Sequence, residues 1–192
     1  MQYMPLPWWK SEFAAVAPVG HALRQVLTSN WTRFHSLPES KRYAENDAER
    51  DELRNRHLTV ANMLFREGEP IYVYRSRYYE KRLRGKAKHQ LAGRQLQESV
   101  LRLPVLLGAK STDDDEILSV RALTTVWQPD FYLELLQQIA DDRESGVSFV
   151  APQSKNIYCP YDGGMDVFSF SVSAAELAAR YSHWQSNRPD RL

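Results

Sequence analysis

The sequence contains a single cysteine, Cys159, so no internal disulfide can form. A disulfide-stapled secreted domain and a structural zinc site built on paired cysteines are therefore excluded. Long hydrophobic runs are also missing, and without about 18 consecutive apolar residues no transmembrane helix is predicted. The first ten residues carry neither a basic leader nor an apolar core segment. We therefore expect a cytoplasmic protein that has no membrane partner.

Neither sign of charge is in clear excess, because the chain has 25 Lys and Arg and 24 Asp and Glu, for a net charge of +1. Phosphate-cradling glycine loops, nucleophile elbows, zinc-protease motifs and dinucleotide fingerprints are all missing, and no cofactor is predicted. What is present is 192 residues that are 43% hydrophobic. That length and composition predict a single domain over 1–192 with one sizeable core.

Three main helices are predicted from their end signals. Asn46 with Glu49 and Ser173 with Glu176 are typical of capping boxes, and Pro129 fits a first helical turn. The predicted spans are 47–66, which we expect Gly68 to terminate, 129–144 and 173–187. A shorter helix is expected from Gly20, and residues 1–18 are predicted to be an irregular N-terminal arm that packs by its aromatic side chains or supports a short helix.

Short β-branched and aromatic segments predict strands between these helices. They cover 31–35, 71–75, 101–107, 117–126, 147–151, 157–161 and 165–170. Several links are too short for a parallel crossover, which favours an α+β fold with a mixed, mainly antiparallel sheet of about five to seven strands covered by the three helices. The expected sheet core is Phe34, Ile71, Val73, Val105, Leu118, Val147, Phe149, Val167 and Phe168.

His57 lies on the apolar stripe of the 47–66 helix, beside Leu53, Val60 and Leu64. Such a histidine is either a core residue with a hydrogen-bonded ring or a catalytic group. We favour the core role, because catalytic residues usually lie on loops at the edge of a site.

A basic segment, expected as an insertion over 77–94, is the first candidate site. Residues 75–94 hold eight Lys or Arg and one Glu, a local charge of +7, interleaved with tyrosines. This combination is typical of nucleic-acid binding. The candidate phosphate contacts are Arg75, Arg77, Lys81, Arg82, Arg84, Lys86 and Lys88. The alternative, which we favour, is a solvated segment neutralised by the acidic stretch 113–116.

The second candidate is the segment 158–166, in which Asp162 and Asp166 flank two glycines. The two carboxylates suit acid–base chemistry, and Cys159 is the available thiol nucleophile. A tight metal site needs at least a third ligand, so no metal is predicted. The alternative is a plain turn beside a buried cysteine, which accounts for the same residues.

The third candidate is the loop 33–43 at the end of the first strand. Here Lys41 and Arg42 suit an anion, although the loop also serves simply to turn the chain. The predicted binding residues across these segments are Arg33, His35, Lys41, Arg42, Tyr161 and Asp162, and the candidate catalytic residues are His35, Asp162 and Asp166.

The segments His35–Tyr43 (HSLPESKRY) and Pro160–Asp166 (PYDGGMD), with the Trp184-containing final helix, resemble a group of small bacterial proteins to which no reaction is assigned. The resemblance implies a bacterial intracellular origin and transfers no active-site residue. If the two segments meet, His35, Arg42, Tyr161, Asp162 and Asp166 should line one surface.

Without an assembled catalytic signature, the favoured function is a non-enzymatic protein-binding or immunity-like accessory domain with a protein partner. Exposed Tyr, Trp and Arg residues, which are enriched at interface hot spots, motivate this hypothesis. Nucleic-acid binding through 75–94 is one alternative. A hydrolase or transferase using His35 with Asp162 or Asp166 is the other.

Overall fold

A seven-stranded antiparallel sheet forms the centre of the chain, in the spatial order β1-β9-β8-β7-β2-β6-β5. The computed structural model describes residues 5–14, 16–80, 90–91, 94–95, 97–103 and 116–186. The sheet strands are β1 (Trp31–His35), β2 (Pro70–Glu80), β5 (Gln97–Leu103), β6 (Glu116–Val126), β7 (Val147–Val150), β8 (Ile157–Tyr161) and β9 (Gly164–Phe168). A separate pair joins β3 (Gln90–Leu91) to β4 (Arg94–Gln95).

The α+β prediction is confirmed, but the strand directions differ from the expected mixture. Every strand pairing among the described residues is antiparallel, so the sheet is not mixed. Short turns explain this, because a two-residue hairpin links β8 to β9 and leaves no length for a crossover.

Five α-helices are described: α1 (Pro5–Phe13), α2 (Gly20–Val26), α3 (Asp47–Leu64), α4 (Pro129–Ala140) and α5 (Ala174–Arg180). Short 3₁₀ turns occupy Thr28–Asn30, Pro38–Ser40 and Ser182–Trp184. The N-terminal arm, expected to be irregular and to pack by its aromatic side chains or support a short helix, contains α1, whose Trp9 and Trp8 rings pack on the sheet. No helix in the described part of the chain is both long enough and apolar enough to span a bilayer.

The helix starts follow the predicted caps, whereas the ends come earlier than predicted. The Asn46 and Ser173 side chains accept hydrogen bonds from the backbone N–H groups of Glu49 and Glu176. The first main helix ends at Leu64, and Gly68, at φ +78°, instead forms the turn into β2. Helix α4 ends at Ala140, and α5 ends at Arg180 before a 3₁₀ turn. The end signals in the sequence therefore located the first residues of the helices better than their last residues.

Strand β2 is the largest departure from the predicted elements. It continues to Glu80 because it pairs with β6 along its whole length, from Pro70 opposite Val126 to Glu80 opposite Glu116. The start of the expected basic insertion is therefore regular strand. Residues 81–89 and 92–93 lie outside the described residues.

The two faces of the sheet pack against different helices. One face, the α3–α4 face, carries Phe34, Val73 and Phe149 against α3 and α4. The opposite face, the α1–α2 face, carries Tyr72 and Tyr74 against α1 and α2. All predicted core residues are buried except Val105, which lies outside the described residues. Burial of two apolar faces provides the main stabilising free energy of this fold.

Strand β1 lies at one edge of the sheet, with β9 as its strand neighbour. The carbonyl oxygen of Arg33 accepts a hydrogen bond from the Gln185 side chain at 3.4 Å. That of His35 accepts from the guanidinium of Arg56 at 3.3 Å, and Arg56 stacks on the Trp184 ring. Side chains from α3 and the C-terminal 3₁₀ turn therefore cover this edge.

Candidate ligand-binding site

The pairing of β1 with β9 brings together the two segments His35–Tyr43 and Pro160–Asp166. His35 lies opposite Gly164 in the register, and the hairpin residue Asp162 contacts the loop that follows β1. Its carboxylate lies 3.4 Å from Arg42 Nε and accepts a hydrogen bond from the Tyr43 hydroxyl at 3.2 Å. Gly163, at φ +96°, packs against Arg42 and supplies the positive φ that the turn requires. The two loops therefore form one continuous end of the sheet.

A buried ion pair lies two residues further along the same strands. Arg33 and Asp166 are opposite each other in the register, and Arg33 donates two hydrogen bonds to the two Asp166 carboxylate oxygens, at 2.8 and 3.0 Å. The indole of Trp31 donates a third at 2.8 Å, and Asp166 is only 3% exposed. The Arg33 guanidinium also stacks on the Tyr161 ring, 5.0 Å from its centroid. Both charged groups are thus fixed in place before any ligand arrives.

Next to this pair, a cavity of about 430 Å³ opens on the α1–α2 face. Its lining comes from 19–21, Arg33, 76–77, 145–148, 159–161 and Asp166. The volume is within the range of small-molecule sites, about 300–1,000 Å³. The walls combine apolar side chains with charged and hydroxyl groups, a mixture that suits a small polar ligand.

Gly20 and Gly146 allow the backbone to approach closely at this cavity. A Cβ atom on Gly20 would lie 2.5 Å from a carboxylate oxygen of Asp166, so α2 begins directly against the ion pair. Gly146, at φ +67°, packs against the backbone of Ser76, and the Ser76 N–H donates to the Gly146 carbonyl at 2.8 Å. These contacts position the 145–148 segment along β2.

Two serines that line the cavity differ in their hydrogen bonding. Ser148 Oγ donates to the carbonyl of Pro18 at 2.7 Å and contacts Cys159 Sγ at 3.2 Å. Ser76 is 5% exposed, and its hydroxyl has no partner among the residues that the structure describes. Leaving a buried hydroxyl without a partner costs about 1–3 kcal/mol, so Ser76 is unusual. Strand alternation directs its side chain to the same face as Tyr74, the face that bears the cavity.

A second buried ion pair, Arg75 with Glu144, contacts two residues that line the cavity, Arg77 and Ser145. Arg75 donates to both carboxylate oxygens of Glu144, at 3.0 and 2.7 Å, and Arg77 also binds Glu144. Burial raises the pKa of Glu144, but the Ser145 N–H and the two guanidinium groups outweigh it and hold that pKa below its ordinary value. Arg77 Nε has no hydrogen-bond partner in the described part of the chain.

Arg75, a candidate phosphate contact in the nucleic-acid alternative, does not belong to an exposed basic surface. The side chain is 3% exposed and its guanidinium is bound to Glu144. Sequence reasoning missed this pairing because the two residues are 69 positions apart. Arg77 is 35% exposed and also binds Glu144. The remaining candidate phosphate contacts, Lys81, Arg82, Arg84, Lys86 and Lys88, lie outside the described residues.

The candidate catalytic groups lack the contacts that acid–base or nucleophilic catalysis needs. Burial lowers the pKa of His35, Arg33 lowers it further, and a hydrogen bond to the Gly163 backbone opposes both. Among the described residues, His35 makes no hydrogen bond to Asp162 or Asp166, and its Nε2 has no partner. Burial raises the pKa of the Cys159 thiol, which disfavours the reactive thiolate.

Other titratable groups at the cavity are also shifted by their surroundings. Burial lowers the pKa of His21, Arg24 adds to this, and Asp166 opposes it. Burial raises the pKa of Tyr161 to about 12, so its hydroxyl stays protonated and remains a hydrogen-bond donor at neutral pH. The arginine and carboxylate side chains among the residues that line the cavity are Arg33, Arg77 and Asp166.

Lys41, a predicted binding residue, is engaged elsewhere. Its ammonium group donates to both carboxylate oxygens of Glu49 at 2.8 Å and lies 3.1 Å from Glu45. The hydrogen bond to Glu49 raises the pKa of Lys41. This cluster holds the start of α3 and does not line the cavity.

His57 forms the centre of a buried polar chain on the α3–α4 face. Its ring nitrogens lie 2.8 Å from Ser36 Oγ and 2.6 Å from the Tyr158 hydroxyl, and burial lowers the His57 pKa to about 3. All three residues are fully buried. The core role predicted for His57 agrees with this geometry, because every polar atom of the ring has a partner.

Within the described ranges, no group of three His, Cys, Asp or Glu side chains is arranged to hold a metal ion. Sequence reasoning found Arg33, Tyr161 and Asp166 but missed His21, Ser76 and the 145–148 segment. No local pattern marks these residues, because strand pairing brings them together from distant parts of the sequence.

A comparison with family models matches residues 19–189 to the family described as "Domain of unknown function (DUF3885)". The chain belongs to this family. The match covers every residue that lines the cavity and begins after α1. No curated protein matches the chain, and no solved structure does. The family match is thus consistent with the resemblance seen in the sequence, and it assigns no reaction.

Proposed function

We propose that this chain is a non-enzymatic binding domain and that its recognition site is the cavity between α2 and the sheet. The main support is the Ser76 hydroxyl, a buried donor at the cavity that has no partner among the described residues. Buried polar groups in folded proteins are nearly always satisfied, and exceptions call for a specific explanation. A bound ligand that accepts this hydrogen bond provides one.

The arrangement of the charged groups favours binding over catalysis. Arg33 and Asp166 are already locked in a bidentate pair, whereas a general acid or base must be able to exchange its proton. Preorganised charges in a recessed site are typical of recognition, because they lower the cost of ordering the site on binding. A protein partner, as the sequence favours, would insert a side chain or chain end into this cavity.

A binding screen followed by amide NMR tests the proposal. The purified chain is titrated with small polar molecules that span cations, anions and neutral compounds. We expect saturable shifts at the amides of 145–148 and 159–161, with the compound recovered chemically unchanged. Conversion of the compound, or saturable shifts confined to another part of the chain, would contradict the proposal.

A blocking variant with a matched control makes this test specific. Ser145 is exposed and lines the cavity, so Ser145→Trp should block the entrance without altering the core. Arg143→Trp adds the same ring two residues away in the same loop, at a side chain that is 59% exposed and does not line the cavity. Binding should be lost in the first variant and kept in the second.

A further inference from the structure

The charged side chains on the face of the sheet that bears the cavity compensate each other. Phe34 packs on the α3–α4 face, so strand alternation directs its neighbour Arg33 to the α1–α2 face, opposite Asp166 on β9. Arg33 and Asp166 form a bidentate ion pair, and Asp166 accepts a third hydrogen bond from Trp31. The opposite charges on this face are therefore already paired.

Two further ionisable residues line the cavity, and neither directs a charge at Ser76. Strand alternation along β2 directs Arg77 to the face opposite Ser76, where it binds Glu144. Burial lowers the pKa of His21, so its ring is uncharged at neutral pH. Burying a charge without a partner is costly, so a charged ligand group against Ser76 is disfavoured.

Neutral hydroxyl groups provide hydrogen-bonding capacity at the cavity. Ser76 Oγ is buried and has no partner in the described part of the chain. Burial raises the pKa of Tyr161 to about 12, so the second hydroxyl also keeps its proton. A hydroxyl both donates and accepts hydrogen bonds, and it therefore matches an uncharged group that does the same, such as a carboxamide or another hydroxyl.

Two glycines keep space open beside these hydroxyls. Gly146 accepts the backbone hydrogen bond of Ser76 and adds no side chain next to it. Gly164 lies opposite Tyr161 in the register, and the Tyr161 hydroxyl lies 2.6 Å from the point that a Cβ atom on Gly164 would occupy. Tyr161 therefore leans across β9, away from Gly146. The cavity of about 430 Å³ has room for an apolar body, which would contact Val19, Cys159 and the Tyr161 ring.

From these observations we infer that the cavity binds an uncharged polar group, a carboxamide or a hydroxyl, that forms a hydrogen bond with Ser76 Oγ and carries a small apolar body. This inference rests on the proposed binding function and specifies its ligand class. The group comes either from a free small molecule or from a neutral polar side chain of a protein partner, since both present the same chemistry.

Calorimetric titration with four probes of similar size tests the charge preference. Benzamide and benzyl alcohol are neutral, benzoate is an anion and benzylamine is a cation. We expect the two neutral probes to bind at least about 10-fold more tightly than either charged one, because a charge buried in this cavity would lack a partner of opposite sign. Binding of benzoate or benzylamine as tight as that of benzamide would overturn the inference.

A serine variant with a matched control identifies the hydrogen-bonding group. Ser76→Ala should weaken benzamide binding by about 3- to 10-fold, because it removes one hydrogen bond to the ligand. Ser182→Ala removes the same hydroxyl from an exposed position outside the cavity and should leave the affinity unchanged. Ser76→Ala strands no partner, so the variant should fold, and its amide NMR spectrum checks this. Unchanged benzamide affinity in folded Ser76→Ala would contradict the role assigned to its hydroxyl.

A peptide arm separates the two sources. Acetyl-Ala-Gln-Ala-amide is compared with acetyl-Ala-Glu-Ala-amide, which differs by one charge. Binding of the glutamine peptide as tight as that of benzamide supports a partner side chain, whereas binding of benzamide alone supports a free small molecule. Tighter binding of the glutamate peptide would contradict the inference. If benzoate or benzylamine shifts the cavity amides and neither neutral probe binds, the ligand class falls while the binding function stands. If no probe of any class binds, both fall.

Discussion

The polar site around His57 and the cavity beside Ser76 treat their buried polar groups in opposite ways. On the α3–α4 face, His57 bridges Ser36 and Tyr158 and leaves no ring nitrogen without a partner. On the α1–α2 face, a cavity adjoins Ser76 and Arg77, each with a donor that has no partner among the described residues. The first arrangement is what a core needs, because satisfied polar groups fix one packing. The second lowers stability, which proteins tolerate where a ligand provides the missing contact.

The variant with the largest expected effect tests whether the Arg33–Asp166 ion pair beside the cavity stabilises the fold. Arg33→Met should lower the free energy of unfolding by about 3–5 kcal/mol, because it leaves the buried Asp166 carboxylate uncompensated. Urea unfolding measures this change. The double variant Arg33→Met/Asp166→Asn should recover much of the loss, since it removes the stranded charge. A loss below about 1 kcal/mol in the single variant would show that the pair contributes little to the fold.

The next prediction concerns the packed face. Leu64 is 4% exposed in the cluster beneath α3, and Leu64→Ala should cost about 2–5 kcal/mol in urea unfolding. Val26, 45% exposed, provides the control, and Val26→Ala should change stability by no more than about 0.5 kcal/mol. An unchanged midpoint for Leu64→Ala would show that α3 does not pack as described.

A pair of serine variants compares satisfied and unsatisfied hydroxyls within one cavity. Ser148→Ala leaves the Pro18 carbonyl without its donor and should destabilise the chain by about 1–3 kcal/mol. Ser76→Ala removes a hydroxyl that has no partner to lose, so its free energy of unfolding should stay within about 0.5 kcal/mol of the parent or rise. Equal losses in the two variants would abolish the distinction between the two serines.

The smallest expected effect is a pH dependence of the free energy of unfolding, and it arises from His57 on the α3–α4 face. The pKa of His57 is about 3 in the folded chain and 6.5 ordinarily, so between these values the unfolded chain binds a proton that the folded chain does not. Its contribution to stability is complete above about pH 6.5 and is lost as pH falls, by up to about 1.4 kcal/mol per pH unit. In His57→Gln this slope should be shallower between about pH 5 and 6.5, measured by urea unfolding at each pH. An identical slope in both proteins would mean that His57 does not titrate as described.

Much of the fold was predictable because its signals are local. Short β-branched and aromatic segments located all seven sheet strands at least in part, and the side-chain caps at Asn46 and Ser173 located two helix starts. Helix ends were predicted less well, because chain reversal here depends on packing and on turns such as the one at Gly68. The extension of β2 beyond Arg75 was missed because residues 76–80 look like the start of a basic insertion, and their pairing with the distant strand β6 is not visible in the sequence.

The candidate site was predicted only in part for the same reason. Arg33, Tyr161 and Asp166 belong to segments that the sequence singled out, and the β1–β9 and β8–β9 pairings bring them together. Ser76 and the 145–148 segment carry no motif and reach the cavity through the β2–β7 pairing and the Gly146 contact. Whether a buried hydroxyl has a partner is a three-dimensional property, which no spacing along the chain encodes.

The covered edge at β1 has a consequence for self-association. A strand from another molecule that added to this edge would need backbone acceptors, and the carbonyls of Arg33 and His35 already accept from Gln185 and Arg56. Exposed strand edges are templates for polymerisation, and proteins block them with covering side chains. Removing both covers, as in Arg56→Ala/Gln185→Ala, should expose the acceptors of edge strand β1 to pairing with a strand of another molecule.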